Sequence, residues 1–505
     1  MNIILGPPGT GKTTRLLTLV EQYMEAGVPA DRIGYFSFTR RAAQEAVSRA
    51  CIRFKMGAKE FPYFRTLHSL AYHQLGLGKS SIMTGRHYRE VGEWLKIGGF
   101  SDGMTLPEGP FADFGFGDKF LEIINISRIC QTPLREVYNG SSVPLRTDWS
   151  RVDYVDRGLK AYKKDNSVYD YTDTLEMFIE RDVAPKLEVV LIDEVQDLSP
   201  LQWKMVHSII SKAKTVYIAG DDDQAIYRWA GADVDYFVRL EGSVEVLGQS
   251  YRIPSSHHTI SQKVINRIFN RRQKDFKPRE EEGDVQWHRH SEEVDLSRGD
   301  WLLLSRTRKG SNNLEQEVRQ RGYLYSYNAS NSIESEVVDA VRNWSDLRDG
   351  KKPRASEVKR VYKYMALNTE VEFGHKTLPG VDDMKLLGID DLLLDHGLLH
   401  TRPWEESLTK IPESDRRYLQ ICLRNNESFT EKPRIVISTI HGAKGGEATN
   451  VVLLTDGIRR NNSLWKKNIY DEDDEARVFY VGLTRAKKSL HLIHPMVSKG
   501  YDIPH

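Results

Sequence analysis

A chain of 505 residues is longer than one ordinary hydrophobic core accommodates and is expected to divide into two to four domains. Its 72 Lys plus Arg against 71 Asp plus Glu exclude a global basic field, so any polyanion site has to be a local groove. Three scattered cysteines (Cys51, Cys130, Cys422) exclude a disulfide framework or a paired zinc spacing, and the lack of an ~18-residue apolar run or a leader-like start predicts a soluble, unprocessed, cytoplasmic protein.

The chain opens with a strand, Asn2 to Leu5, then a glycine loop, then a helix with apolar residues Leu16, Leu17, Leu19 and Val20 that ends near Gly27. A second strand and helix follow at Ile33 to Phe36 and Arg41 to Ala50. Between His73 and about Tyr162 the strand signals fade into helical and loop-like sequence, including GPFADFGFGDKF from Gly109, which predicts an inserted accessory domain. Short apolar runs recur at Val189 to Ile192, Val216 to Ala219, Trp301 to Leu304, Ile435 to Ser438 and Val451 to Leu454. Most precede helical patterns, an alternation that predicts parallel sheets covered by helices on both faces. A second interruption, charged and helical, runs from about Ser335 to Lys432, with VKRVYKYMAL from Val358. The expected plan is two α/β cores, each interrupted once. The basic runs RTRKG at Arg306 and KKPRASEVKR at Lys351 read as solvated faces in preference to phosphate-facing ones, and DEDDE at Asp471 as a loop held in water.

Gly6 to Thr13 reads GPPGTGKT and fits G-x-x-x-x-G-K-[ST] between a strand and a helix. The glycines let backbone N–H groups wrap phosphates, and the helix N-terminus adds its positive dipole end. Lys12 is expected to reach the β and γ phosphates and Thr13 a magnesium ion. In LEVVLIDEVQD an apolar strand ends in Asp193 and Glu194, at the end of a strand where such sheets bind ligands. Asp193 is the expected magnesium partner, and Glu194 is placed to deprotonate an attacking water. The ~180 residues between Lys12 and Asp193 leave room for an inserted domain.

Further blocks follow in order: YFSFTRRAAQEAV from Tyr35, RTLHSLAYHQLG from Arg65, YDYTDTL from Tyr169, DEVQDLSPLQ from Asp193 and AGDDDQAIYRWAGA from Ala219. LGQSYRIPSSH from Leu247, WLLLSRTRKG from Trp301, STIHGAKGGEATNVVLL from Ser438 and ARVFYVGLTRAKKSL from Ala476 complete the series. Together, from Gly6 to Ala486, they resemble the Rep, UvrD and PcrA group of superfamily 1 DNA helicases.

The resemblance implies two RecA-like P-loop NTPase domains, residues 1–77 plus 166–248 and 249–334 plus 433–505, with helical insertions at 78–165 and 335–432. It implies ATP and Mg2+ as cofactors, with nucleotide contacts from Gly6, Gly9, Thr10, Gly11, Lys12, Thr13, Thr14, Tyr251 facing the adenine, and Glu447 near the sugar. Lys12, Glu194, the γ-phosphate sensor Gln224, Arg252 and Arg485 take the catalytic roles, with Gln196 and Asp197 coupling the two sites. Phe38, Tyr227 and Trp229 stack on bases, while Thr39, Arg40, Thr66, His68, Thr439 and His441 contact the strand.

The implied activity is ATP-dependent, 3′ to 5′ movement on single-stranded DNA with strand separation; the alternative is a translocase that strips or remodels protein–DNA complexes. Implied partners are single strands, single-strand/duplex junctions and unidentified replication or repair proteins, with no membrane. Two positions depart from the family pattern: Ala230 stands where an arginine is usual and Gly446 where leucine is. The five residues before Gly6 leave no room for the family's glutamine-containing adenine reader, which predicts relaxed nucleotide selectivity resting on Tyr251.

Overall fold

The N-terminal run Asn2–Leu5 (β1) buries Ile3, Ile4 and Leu5, as an inner strand of a parallel sheet must. Ile33–Ser37 (β2), Phe64–Thr66 (β3), Val189–Asp193 (β4), Thr215–Gly220 (β5) and Ser243–Val246 (β6) join it in a six-stranded sheet of order β3-β2-β4-β5-β1-β6. Every neighbouring pair in it is parallel. The computed structural model describes residues 1–100, 116–140, 148–328, 330–429, 431–457, 471–495 and 500–504, so the start of the aromatic stretch from Gly109 lies outside the described residues.

A second sheet has order β10-β9-β11-β8-β12-β13-β7. Its strands are Asp284–His288 (β7), Trp301–Ser305 (β8), Tyr325–Tyr327 (β9), Ser330–Asn331 (β10), Ile435–Thr439 (β11), Ala448–Leu454 (β12) and Ala486–Ile493 (β13). Only the β9–β10 pair is antiparallel. The fold class is the expected α/β, parallel sheets flanked by helices. Helix Lys12–Glu25 packs Leu16, Leu17, Leu19 and Val20 into the first sheet's core, and helix Arg40–Phe54 opens on Thr39, whose hydroxyl accepts from the Ala42 N–H at 3.1 Å.

The two interruptions are built differently. Helices Gly85–Leu95, Phe116–Ile129, Leu134–Gly140 and Trp149–Asn166 enclose a core of their own around Val91, Phe120, Val155 and Leu159. Arg128 and Lys163 tie that unit to the start of helix Tyr171–Glu180, each 2.8 Å from Asp170. The second interruption has no separate interior: Val337, Trp344, Val358, Tyr362 and Leu419 belong to one buried cluster with Leu303, Ile435 and Leu454 of the second sheet. The amphipathic helices Ser335–Arg348 and Ala355–Lys363 thus extend the sheet's core.

The acidic run at Asp471 is not a watery loop. It opens helix Asp471–Leu483, where carboxylates suit the positive dipole end. Asp474 accepts from Arg228 of the first core at 3.1 Å, and Glu475 pairs with Arg306 at 3.0 Å, so the basic run at Arg306 is anchored within the protein. Sequence separation of more than 150 residues hid these partners. No helix among the described residues is long and apolar enough to cross a membrane.

Candidate nucleotide cleft and nucleic-acid groove

The phosphate loop leaves β1 at Leu5 and enters helix Lys12–Glu25 through Gly11. Gly9 is required twice over. Its φ of +74° is left-handed, and a Cβ there would lie 2.4 Å from Cβ of Arg252, on the far side of the cleft. Lys12 curls back so that Nζ donates to the Gly6 carbonyl at 3.0 Å and stands 3.6 Å from a Glu194 oxygen.

At the end of β4, Thr13 Oγ1 lies 3.4 Å from Asp193 Oδ2. The other Asp193 oxygen accepts the Glu194 N–H at 2.9 Å. A hydroxyl and a carboxylate converging beside an anion-binding loop are hard oxygen donors, the set that Mg2+ prefers in combination with phosphates. The residues present therefore fit that ion. Glu194 has φ +57°, a left-handed conformation that costs a non-glycine residue about 1–2 kcal/mol and is characteristic of functional sites. Burial works against the Glu194 charge, but Lys12, Lys444, the Gln196 amide and Arg485 hold its carboxyl well below the usual range. Asp193 is pushed up by burial and by the Glu194 charge, against Lys12 and a hydrogen bond from Tyr35.

The opposite wall comes from the second core. Tyr251 N–H donates to the Gly9 carbonyl at 2.9 Å, and Ser250 Oγ to the Pro8 carbonyl at 2.8 Å, so the two cores are bonded at the phosphate loop itself. Arg252 pairs with Glu447 at 2.5 Å, and Glu447 also with Lys487 at 2.6 Å. Arg485, fully buried, donates to Gln224 Oε1 at 3.0 Å, while the Gln224 amide donates to Asp221 at 2.7 Å. The cleft encloses about 510 Å³ and is lined by Gly9, Thr10, Gly11, Lys12, Thr13, Thr14, Asp193, Glu194, Gln224, Tyr251, Arg252, Glu447 and Arg485 among others. Every expected nucleotide residue but Gly6 lines it, and Gly6 contributes through its bond to Lys12. Two carboxylates, one of them placed as a base, with a lysine on one wall and two arginines on the other, can hold and hydrolyse a nucleoside triphosphate.

A groove of about 950 Å³ runs beside it, lined by Phe38, Arg40, Thr66, His68 and Tyr227. Phe38 and Tyr227 lie 6.1 Å apart at 30°, an aromatic floor on which bases can stack. His68 is held neutral, its pKa pulled down to about 4 by burial and by Arg40. His441 goes down to about 3 through burial, Arg306 and Lys444. Both imidazoles are therefore neutral hydrogen-bonding groups rather than cations.

Other expected strand contacts are engaged within the protein. Thr39 is a helix cap and lines the nucleotide cleft. Thr66 lines the groove but its hydroxyl accepts from the Ser69 N–H at 3.2 Å, and Thr439 accepts from Gly442 N–H at 3.1 Å. Trp229 and His441 line neither cavity; their rings meet at 5.9 Å, and each also stands 6.3 Å from Tyr227.

Sequence reasoning passed over two cationic groups. Lys444 of the second core pairs with Asp197 at 2.7 Å and sits 4.9 Å from the centre of the Tyr227 ring. Lys274 lies within 3.3 Å of all three carboxylates of Asp221, Asp222 and Asp223, and Arg271 bonds Asp223 at 2.6 Å. The acidic triplet, by itself a candidate cation site, is thus filled by an ammonium group. Three adjacent aspartates directly after a buried strand were a signal that a cation had to be near.

A family model described as an AAA domain matches residues 1–230, and one described as the UvrD-like helicase C-terminal domain matches residues 401–495. The putative ATP-dependent DNA helicase YjcD of Bacillus subtilis is 23% identical over 99% of this chain and 77% of its own length. A probable DNA helicase II homolog of Rickettsia conorii is 23% identical over 97% of this chain and 90% of its own. The ATP-dependent DNA helicase Rep of Escherichia coli is 27% identical over 50% of this chain and 39% of its own. Among solved structures, a PRRSV helicase aligns over 100% of this chain and 54% of that chain, with a TM-score of 0.35 and 10% identity.

Proposed function

Since the chain belongs to the UvrD/Rep/PcrA-like superfamily 1 helicases, enzymes that hydrolyse ATP and act on DNA, we propose that it moves 3′ to 5′ along single-stranded DNA and separates strands. The observation that carries the reading is the bond from Arg485 to Gln224, which joins the second core to the loop that also bears Tyr227. Two residues, Ala225 and Ile226, separate the nucleotide sensor from the aromatic floor of the groove.

In this mechanism the phosphate loop and Lys12 bind the triphosphate, and Thr13 and Asp193 are the residues that would hold a magnesium ion. That ion offsets charge on the β and γ phosphates when bound. Glu194, ionised and beside Lys12, orients the attacking water and takes its proton at a carboxylate oxygen. Arg252 leaves Glu447 and Arg485 leaves Gln224 to meet the γ-phosphate, an exchange that draws the cores together. Arginines in that role are worth about 10³–10⁵ in rate in related chemistry. Hydrolysis releases them, the cores part, and the Phe38–Tyr227 floor takes up the strand one step further on. The substrates are single strands and single-strand/duplex junctions in the cytoplasm.

The test is unwinding of duplexes with a 3′ or a 5′ single-stranded tail, beside Lys12→Ala and Glu194→Gln. Unwinding from the 3′ tail alone, lost in both variants, is expected. DNA-stimulated hydrolysis without strand separation would assign the stripping or remodelling activity instead, and equal hydrolysis in all three proteins would remove the motor altogether.

A further inference from the structure

Tyr35 stands in the third position of β2, fully buried, and belongs to none of the cleft's wall-forming segments. In the β2–β4 ladder it pairs with Leu191, and Ser37 pairs with Asp193, so Tyr35 lies one step behind Asp193 on the same face of the sheet. From there its hydroxyl donates to Asp193 Oδ2 at 2.7 Å. That is the oxygen facing Thr13 Oγ1 at 3.4 Å, while Oδ1 is taken by the Glu194 N–H at 2.9 Å. Each oxygen of the carboxylate thus carries one short bond from the sheet, and the two together leave the group a single orientation.

We propose that Tyr35 is a positioning residue for the metal-binding carboxylate, holding Asp193 in the rotamer that presents its free lone pairs toward Thr13 and the phosphate loop. The inference rests on the nucleotide-cleft reading above. Ligating carboxylates are commonly held by hydrogen bonds from a supporting residue, and loss of such a partner typically weakens metal affinity ~10–100-fold. A tyrosine of the core with no such task would need a partner only to satisfy its own hydroxyl.

The two cases separate in a Mn2+ titration of the full chain, followed by electron paramagnetic resonance, with a saturating non-hydrolysable ATP analogue. Tyr35→Phe removes the hydroxyl and keeps the ring that packs on Phe64 at 5.4 Å. It is expected to weaken Mn2+ binding about tenfold or more with little change in melting temperature. Phe64→Leu, which loosens the ring without touching Asp193, is expected to lower the melting temperature and leave Mn2+ affinity in place. Wild-type affinity in Tyr35→Phe overturns the proposal, as does an equal loss in Phe64→Leu, which would make the effect one of packing. Asp193→Asn serves as the reference: if it too binds Mn2+ like the wild type, the cleft reading fails and the role of Tyr35 with it.

Discussion

Lys444 reaches from the second core to within 2.7 Å of Asp197 Oδ1 in the first, with its ammonium 4.9 Å from the centre of the Tyr227 ring. Asp197 and Tyr227 both line the nucleotide cleft and the groove. One cation therefore touches the partition between the two sites, and it offers a direct physical route by which a change in core closure can reach the aromatic floor.

Replacing Lys444 by Ala leaves Asp197 buried without its counter-charge, a loss of about 3–5 kcal/mol for a pair of this burial. The sign of the pH dependence follows from Asp197 itself. Burial, with the Glu194 charge, pushes its pKa up to about 6 against the pull of Lys444 and Lys12. A raised carboxyl favours the folded state at low pH and loses that contribution as pH rises through 6. Without Lys444 the pKa rises further, so the stability gap between wild type and Lys444→Ala has to widen from pH 5 to pH 8. Urea denaturation at both values measures it; a gap as large at pH 5 would mean that Lys444 does not neutralise Asp197.

The acidic triplet makes the second prediction. Asp221, Asp222 and Asp223 have side chains 0–2% exposed and share Lys274, itself 1% exposed. Lys274→Ala strands Asp221 and Asp222, while Asp223 keeps Arg271, and is expected to cost about 3–5 kcal/mol. Because Asp221 also holds Gln224, the same variant is expected to slow hydrolysis. Millimolar Mg2+ should leave the wild-type denaturation midpoint where it is in the absence of nucleotide. A midpoint that rises with Mg2+ in the Asp193→Asn variant, whose triplet is intact, would return the triplet to the status of a cation site.

The phosphate loop was legible because its geometry is local: strand, glycines, lysine and helix all lie between Asn2 and Glu25, and backbone constraints dictate the residue types. Both sheets were legible from their inner strands, whose apolar runs stand out, such as VVLID and WLLLS. The strands that escaped are short or edge-like: Phe64–Thr66 has three residues, and Ser243–Val246 is largely exposed. In Ala486–Ile493 two lysines and a histidine mask the pattern. Thr39 and Thr66 were read as strand contacts although each stands three residues before the N–H it caps, a spacing visible in the sequence. The partners of Lys444, Lys274 and Asp474 lie at separations that no local pattern encodes.

Trp229 is the next test, since it lines neither cavity and its ring meets those of Tyr227 and His441. If it joins the stacking floor once a strand is bound, Trp229→Ala lowers single-stranded DNA affinity by about 1–3 kcal/mol, roughly five- to a hundredfold. Hydrolysis without DNA should then stay near wild type while stimulation by DNA falls. Collapse of the basal rate would make Trp229 a packing residue that holds the sensor loop against His441.

If Tyr251 makes the base contact, as proposed, it sets how strictly the nucleotide is read. Its backbone N–H is fixed to Gly9, yet its side chain is 74% exposed at the rim of the cleft. An aromatic face stacks on any base and does not distinguish the hydrogen-bonding edges of adenine and guanine. Where stacking carries the base contact, kcat/KM for ATP and GTP should differ by less than about tenfold, the equivalent of ~1.4 kcal/mol. Tyr251→Ala should then raise KM for both nucleotides in the same proportion, and Tyr251→Phe should raise neither, because the ring and not the hydroxyl makes the contact. Steady-state hydrolysis with each nucleotide gives the four ratios. A strong preference for ATP that survives Tyr251→Ala would mean that an edge-reading donor or acceptor elsewhere in the protein selects adenine, and the role of Tyr251 would shrink to anchoring the second core on the phosphate loop.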